Sequence, residues 1–139
     1  MAVWTFYDYI ELTGRNPIMR WLESVPPAAA AKIDYRLLHM AGTSQWPEKW
    51  LSKYQGTAEI YELRITDNKV QYRPLGSYFG ARQFILLNGA IEKGGKIPKS
   101  DIETAERRLK AAQGDKRHVQ FHQFDDPGDL EADGEKGVS

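Results

Sequence analysis

The apolar positions of this chain switch period along its length, from about two to about 3.6 and back, and the switches mark its elements. Residues 3–12, VWTFYDYIEL, carry Trp4, Phe6 and Ile10 on one alternating face and Val3, Tyr7 and Tyr9 on the other. Apolar side chains on both faces predict a strand that is central or covered by helices, closed by the Thr13-Gly14 turn. From Asn16 the spacing lengthens. Ile18, Trp21, Leu22 and Val25 mark a short amphipathic helix with Asn16 as N-cap and Pro17 in its first turn. Pro26-Pro27 ends that helix, and AAAAKIDYRLLHMA forms a second, with Ala30, Ile33, Leu37, Leu38 and Ala41 on one side and Gly42 at its end.

Alternation returns between Ile60 and Thr66, where Tyr61, Leu63 and Ile65 share one face and Ile60, Glu62 and Arg64 the other. An Asp67-Asn68 turn leads into a partner strand, Val70 to Leu75, followed by a Gly/Ser/Tyr loop. The consecutive apolar run Phe84 to Leu87 places the next strand, Arg82 to Leu87, under cover on both faces. After the loop EKGGKIPKS, Ser100 and Glu103 stand at capping-box spacing. Ile102, Ala105 and Leu109 then give the buried stripe of a last helix stopped by Gly114. The predicted order is β-α-α-β-β-β-α, an α+β fold with a small sheet and a helix pair packed on it. The aromatic linker between helix and strand, with Trp46, Trp50, Leu51 and Tyr54, is expected to pack on the body as a connector.

Charge divides the chain in two. Residues 1–113 carry 16 Lys+Arg against 12 Asp+Glu, a balance of +4; residues 114–139 carry 3 against 7, or −4, and the total is zero. We therefore divide the chain into a domain over 1–113 and an acidic, flexible tail over 114–139. The first part of the tail, with Val119, Phe121 and Phe124 nearly alternating, is suited to an edge strand or a short packed segment. A basic body beside an acidic end fits a polyanion-binding surface, over which the tail itself can fold, and fits a solvated surface with a solubilising tail equally well. The sequence contains no cysteine, which excludes disulfides and thiolate metal sites and accords with a cytoplasmic location. No apolar run approaches the roughly 20 residues of a membrane span, and the N-terminal residues lack the pattern of a signal peptide. His118 and His122 are four residues apart in a segment that does not read as a helix, so they point to no metal site.

Four cations, Arg64, Arg73, Lys93 and Lys96, lie close to the strands or to the last loop. If the strands pair in sequence, these side chains converge on one face of the sheet, as a phosphate backbone would require. Glu62 is near enough to Arg64 for a surface ion pair, which is the competing account of that arginine.

The pieces YELRI, YRPL, LLNGAIEKGGKIP and DIETAERRL, in this order, resemble the RelE/HigB-type toxins of bacterial toxin–antitoxin pairs, in particular their phage-derived relatives. The resemblance covers roughly residues 3–112 and implies a RelE/ParE-like, antiparallel-rich sheet. It also implies a ribosome-dependent mRNA endonuclease that acts by metal-independent 2′-OH transesterification without a cofactor, and that is neutralised by a cognate antitoxin, typically a helix-turn-helix protein. In that picture Arg64 and Arg73 clamp phosphate, Lys93 stabilises charge, and Tyr78 stacks on a base or moves a proton. Lys53, Lys96, Arg82 and Lys99 bind RNA. Relatives commonly show His-Gly-Phe and paired lysines where this chain has Asn88, Gly89, Ala90, Ile91, Glu92 and Lys93. The general base accordingly falls to a lysine, to Glu92 or to Tyr78. The same departures leave room for a non-catalytic interaction protein on this fold, or for a ParE-like gyrase inhibitor.

Overall fold

A computed structural model describes residues 3–57 and 59–124; the acidic segment 125–139, and with it the notion of a tail folded over the basic face, lies outside the described residues. The elements are β1 (Thr5–Tyr9), α1 (Pro17–Ser24), α2 (Pro27–Ala41), β2 (Leu51–Lys53), β3 (Tyr61–Leu63), β4 (Ile65–Asp67), β5 (Val70–Gly80), β6 (Gln83–Ile91), α3 (Lys99–Gly114) and, after a short turn of 3-10 helix, β7 (Val119–Phe121). They form an α+β fold with one mixed sheet in the order β2-β3-β5-β6-β1-β7, with β4 also paired to β5. β1 runs parallel to β6, and the other pairings are antiparallel.

Both sheet faces are covered, which is why β1 and β6 are apolar on both sides. Phe6, Leu63, Ile65, Tyr72, Phe84 and Leu86 pack with α1 and α2. Tyr9, Leu75, Ile85, Leu87 and Ala90 pack with Ile102, Ala105 and Leu109 of α3. Asn16 caps α1 as its sequence predicts, accepting from the backbone N–H groups of Ile18 and Met19 at 2.9 and 3.0 Å. Gly89 allows α1 to approach the sheet, because a Cβ there would fall within the indole ring of Trp21.

Several elements differ from the sequence expectation. The strand expected over 60–66 is broken at Arg64 into β3 and β4, since the Arg64 backbone N–H bonds the carbonyl of Trp50 (3.0 Å) and leaves the ladder. The linker contributes β2, three residues too short to show a period. β5 runs on through Gly80, so Tyr78 lies on a strand and not in a loop. Gly76 is there because Phe84 and the Ile85 carbonyl occupy the space of a side chain, not to make a turn. β6 continues to Ile91, and Arg82 sits in the preceding turn at φ 58°. The Ser100/Glu103 capping box does not form: α3 starts at Lys99, Pro98 occupies the cap without a side-chain bond, and Ser100 is already helical. Leu38 is 37% exposed, and Ala29 and Met40 take the buried side of α2 in its place. At the other end, β7 pairs antiparallel with β1 through Tyr7↔Phe121 to Tyr9↔Val119, extending the sheet beyond α3.

Candidate functional site

The polar cluster of the sheet is built by alternation. On β5, Tyr72 enters the core under α1 and α2, while Leu75 and the Ala90 opposite Arg73 enter the core under α3; Arg73 therefore points to the α3 side. Glu62 on β3 shares that side with Ile60. Glu92, just past β6, is held over β5 by its backbone N–H, which donates to Gln71 at 3.0 Å. One Arg73 terminal nitrogen lies 3.2 Å from a Glu92 carboxylate oxygen and 3.2 Å from the Gln71 side-chain carbonyl, and the other donates to the Tyr72 carbonyl at 3.0 Å. Its Nε stands 3.9 Å from Glu62 Oε1, buried and without a hydrogen-bond acceptor. Arg64 reaches the same Glu62 oxygen at 3.2 Å. The cluster thus alternates Arg64, Glu62, Arg73 and Glu92, two cations with two carboxylates. Its exposure is graded: 7% for the Arg73 side chain, 10% for Glu62, 21% for Glu92 and 49% for Arg64. Only Arg64 and the Glu92 end present themselves to a ligand in this arrangement.

Lys93 follows Glu92 and opens a tight turn in which Lys93 and Lys96 exchange backbone hydrogen bonds (2.8 and 3.1 Å), with Gly94 and Gly95 at φ 59° and 76°. Glycine suits both central positions of such a turn, which is ordered rather than a loose loop. Lys93, Lys96 and Lys99 are exposed. Beside them burial pushes the Asp101 carboxyl up, and Lys93 partly offsets this.

The remaining residues expected at the site gather elsewhere. Tyr78 pairs with Phe84, five positions along β5 from Arg73, or roughly 17 Å of strand. It stacks on Trp46 (5.9 Å between centroids) and meets Tyr61 edge-on at 5.0 Å. Burial, and then the neighbouring Tyr61, push its phenol above the usual range, which suits a donor better than a base. Arg82 lies over Trp4 at 5.7 Å, and Lys53 pairs with Tyr61 in the β2–β3 register. The candidates therefore form two groups, Arg64 and Arg73 with the Lys93 turn, and Tyr78 with Arg82 and Lys53.

A second ionic cluster had no place in the sequence reading. His122, just after β7, is fully buried, with Nδ1 2.7 Å from Asp8 of β1 and Nε2 3.0 Å from Asp34 of α2. The other Asp8 oxygen accepts from the Asn16 side chain at 2.9 Å, linking the cluster to the cap of α1. Burial alone pulls the imidazole down, but the hydrogen bonds to Asp34 and Asp8 outweigh it and hold the ring at about 9. The sequence sign was Asp8 itself, a carboxylate within an aromatic strand, which demands a buried partner.

Residues 20–110 match the family described as Phage derived protein Gp49-like (DUF891), well over half of the chain. The chain belongs to the Gp49-like family. This is a RelE/toxin-like family associated with the toxins of toxin–antitoxin pairs. The Gp49-like segment holds Arg64, Glu62, Arg73, Glu92 and the Lys93 turn, whereas Asp8 and His122 fall outside it. No curated protein matches the chain. Among the described residues no helix is long and apolar enough to cross a membrane.

Proposed function

We propose that this Gp49-like chain is the toxin of a toxin–antitoxin pair, has the RelE/ParE-like arrangement, and cleaves mRNA on the ribosome by 2′-OH transesterification. The observation that carries the reading is the graded cluster on the sheet, which offers an exposed guanidinium (Arg64) at one end and, across Glu62 and Arg73, a partly exposed carboxylate (Glu92) followed in the chain by an exposed ammonium (Lys93) at the other. In the reaction, the 2′ oxygen attacks the neighbouring phosphorus as Glu92 takes its proton, and the bond to the 5′ oxygen breaks as that oxygen is protonated. A 2′,3′-cyclic phosphate and a 5′-hydroxyl result. Arg64 clamps the phosphoryl oxygens and Lys93 meets the developing charge or protonates the leaving oxygen. Arg73, closed in by its carboxylates, positions Glu62 and Glu92. Lys96 and Lys99 hold the strand on one side; Lys53, Tyr78 and Arg82, at the far end of β5 where Tyr78 packs on the α1 and α2 side of the sheet, bind flanking nucleotides that pass round its edge. A cognate antitoxin, the ribosome and mRNA are the partners of this reading, and the cytoplasm its place.

The test is incubation of the purified chain with ribosomes programmed with mRNA, in the magnesium the ribosome itself requires, mapped by primer extension. Cleavage within the A-site codon, lost in Arg64→Ala, is expected; uncut message with the wild-type chain overturns the reading. A second reading, a non-catalytic interaction protein or ParE-like gyrase inhibitor, draws on the pairing of Arg73 with Glu62 and Glu92, which leaves that guanidinium little to offer a phosphate. Inhibition of gyrase supercoiling by a chain that leaves RNA whole would favour it.

A further inference from the structure

Beside α2 an open groove of about 490 Å³ runs between that helix and β4. Its walls carry Lys32, Tyr35, Arg36, His39 and Arg64. Lys32 Nζ donates to the Thr66 carbonyl at 2.9 Å and lies 3.3 Å from Asp67, while one Arg36 nitrogen donates to the Arg64 carbonyl at 3.1 Å. Those bonds hold the two cations along the edge of β4 and occupy carbonyls that an added strand would need, so the edge is closed to a partner's β-strand. Planar groups alternate with the charges. Tyr35 is 72% exposed, the Arg36 guanidinium lies 5.5 Å over the Trp50 ring, and His39 meets the same ring edge-on at 5.1 Å.

We propose that this groove is a second RNA contact, in which Lys32, Arg36 and the outer side of Arg64 take consecutive phosphates of a single strand and a base stacks on Tyr35. Three basic side chains line the groove, against one carboxylate, Asp67, beside Lys32 and another, Glu62, paired with Arg64. An exposed tyrosine between cations matches the repeat of base and phosphate in a single strand. An acidic peptide would use the charges but leave Tyr35 idle. The proposal extends the RNA-directed reading above and uses none of the groups assigned there to proton transfer. Arg64 joins the groove to the cleavage cluster, so one strand can pass from beside α2 toward the Lys93 turn.

Fluorescence anisotropy of the full chain with a short labelled single-stranded RNA tests this. Lys32→Gln combined with Arg36→Gln is expected to weaken binding at least about tenfold and to reduce the salt slope by about 1.4, the value for two phosphates on a single strand. Tyr35→Ala, exposed and without a structural bond, is expected to weaken binding at least about fivefold with unchanged melting and unchanged salt slope. It carries the test should the double variant fail to fold. Absence of RNA binding by the wild type, or wild-type affinity in Tyr35→Ala, overturns the proposal. So does polyglutamate that binds as tightly as RNA and responds to Lys32→Gln/Arg36→Gln in the same way, which would give the groove to an acidic protein. A chain that binds RNA through the groove but cuts none sinks only the cleavage reading; a chain that cuts RNA while the groove variants bind normally sinks only the groove.

Discussion

Among the described residues, two places hold one cation between two carboxylates, and they do opposite things with the same ingredients. At Asp8–His122–Asp34 the carboxylates come from β1 and α2, the imidazole from beyond β7, and the side chains are 0%, 0% and 9% exposed. At Glu62–Arg73–Glu92 exposure rises outward from the buried arginine, and Arg64 adds a further, half-open cation. A sealed arrangement of this kind ties segments together, since removing one member strands a charge in a low dielectric. A graded one can fix an inner charge while the outer groups meet a ligand. Position relative to the Gp49-like segment follows the same division: the graded cluster lies inside it, and two of the three sealed residues lie outside.

The comparison breaks most readily at His122. His122→Ala removes the buried cation that Asp8 and Asp34 share and is expected to cost about 3–5 kcal/mol, measured by urea denaturation. A cost below about 1 kcal/mol would mean that the segment after β7 is not held as described. A pH series gives the next largest effect. Because the imidazole is held at about 9, above its ordinary 6.5, its stabilisation is complete below pH 6.5 and is lost as pH rises through 9. Unfolding free energy should fall between those limits by up to about 1.4 kcal/mol per pH unit, and His122→Asn should flatten the slope. The smallest effects belong to the graded cluster. Arg73→Ala is expected to cost about 2 kcal/mol, since Glu62 keeps Arg64 and Glu92 keeps water, and Arg64→Ala less than about 1 kcal/mol, as for an exposed ion pair. Equal costs at the two arginines would erase the inner and outer distinction.

How much of this could be read from the sequence depended on whether the deciding force was local. Alternation and helical spacing are local, and with the Asn16 cap of α1 they located β1, α1, α2, the strands from Tyr61 onward and α3, although the capping box read at Ser100 does not form. The paired Glu62 and Arg64 were visible too, being two residues apart on one face. Register is not local: β1 parallel to β6, and β7 beside β1, join residues more than seventy positions apart by backbone bonds that leave no periodic trace. The aromatic run through Tyr78 was mistaken for a loop because Gly76 and Gly80 look like punctuation, and the close packing that requires Gly76 comes from Phe84 on another strand. The burial of Arg73 was hidden for a similar reason, since its carboxylate neighbours lie on β3 and past β6. His122 was weighed only as a metal ligand, because a histidine's ionic role is visible only once its partners are known, and Asp8 is 114 residues away.

We propose that the exposed end of the graded cluster performs chemistry while the sealed cluster holds the fold. It is tested most directly by the single-turnover rate of mRNA cleavage on programmed ribosomes for Glu92→Gln, at a pH and temperature where variant and wild type are equally folded. Loss of a proton acceptor predicts a rate lower by about 100-fold or more. Cleavage by Glu92→Gln at the wild-type rate would contradict the assignment and move the chemistry away from this part of the sheet.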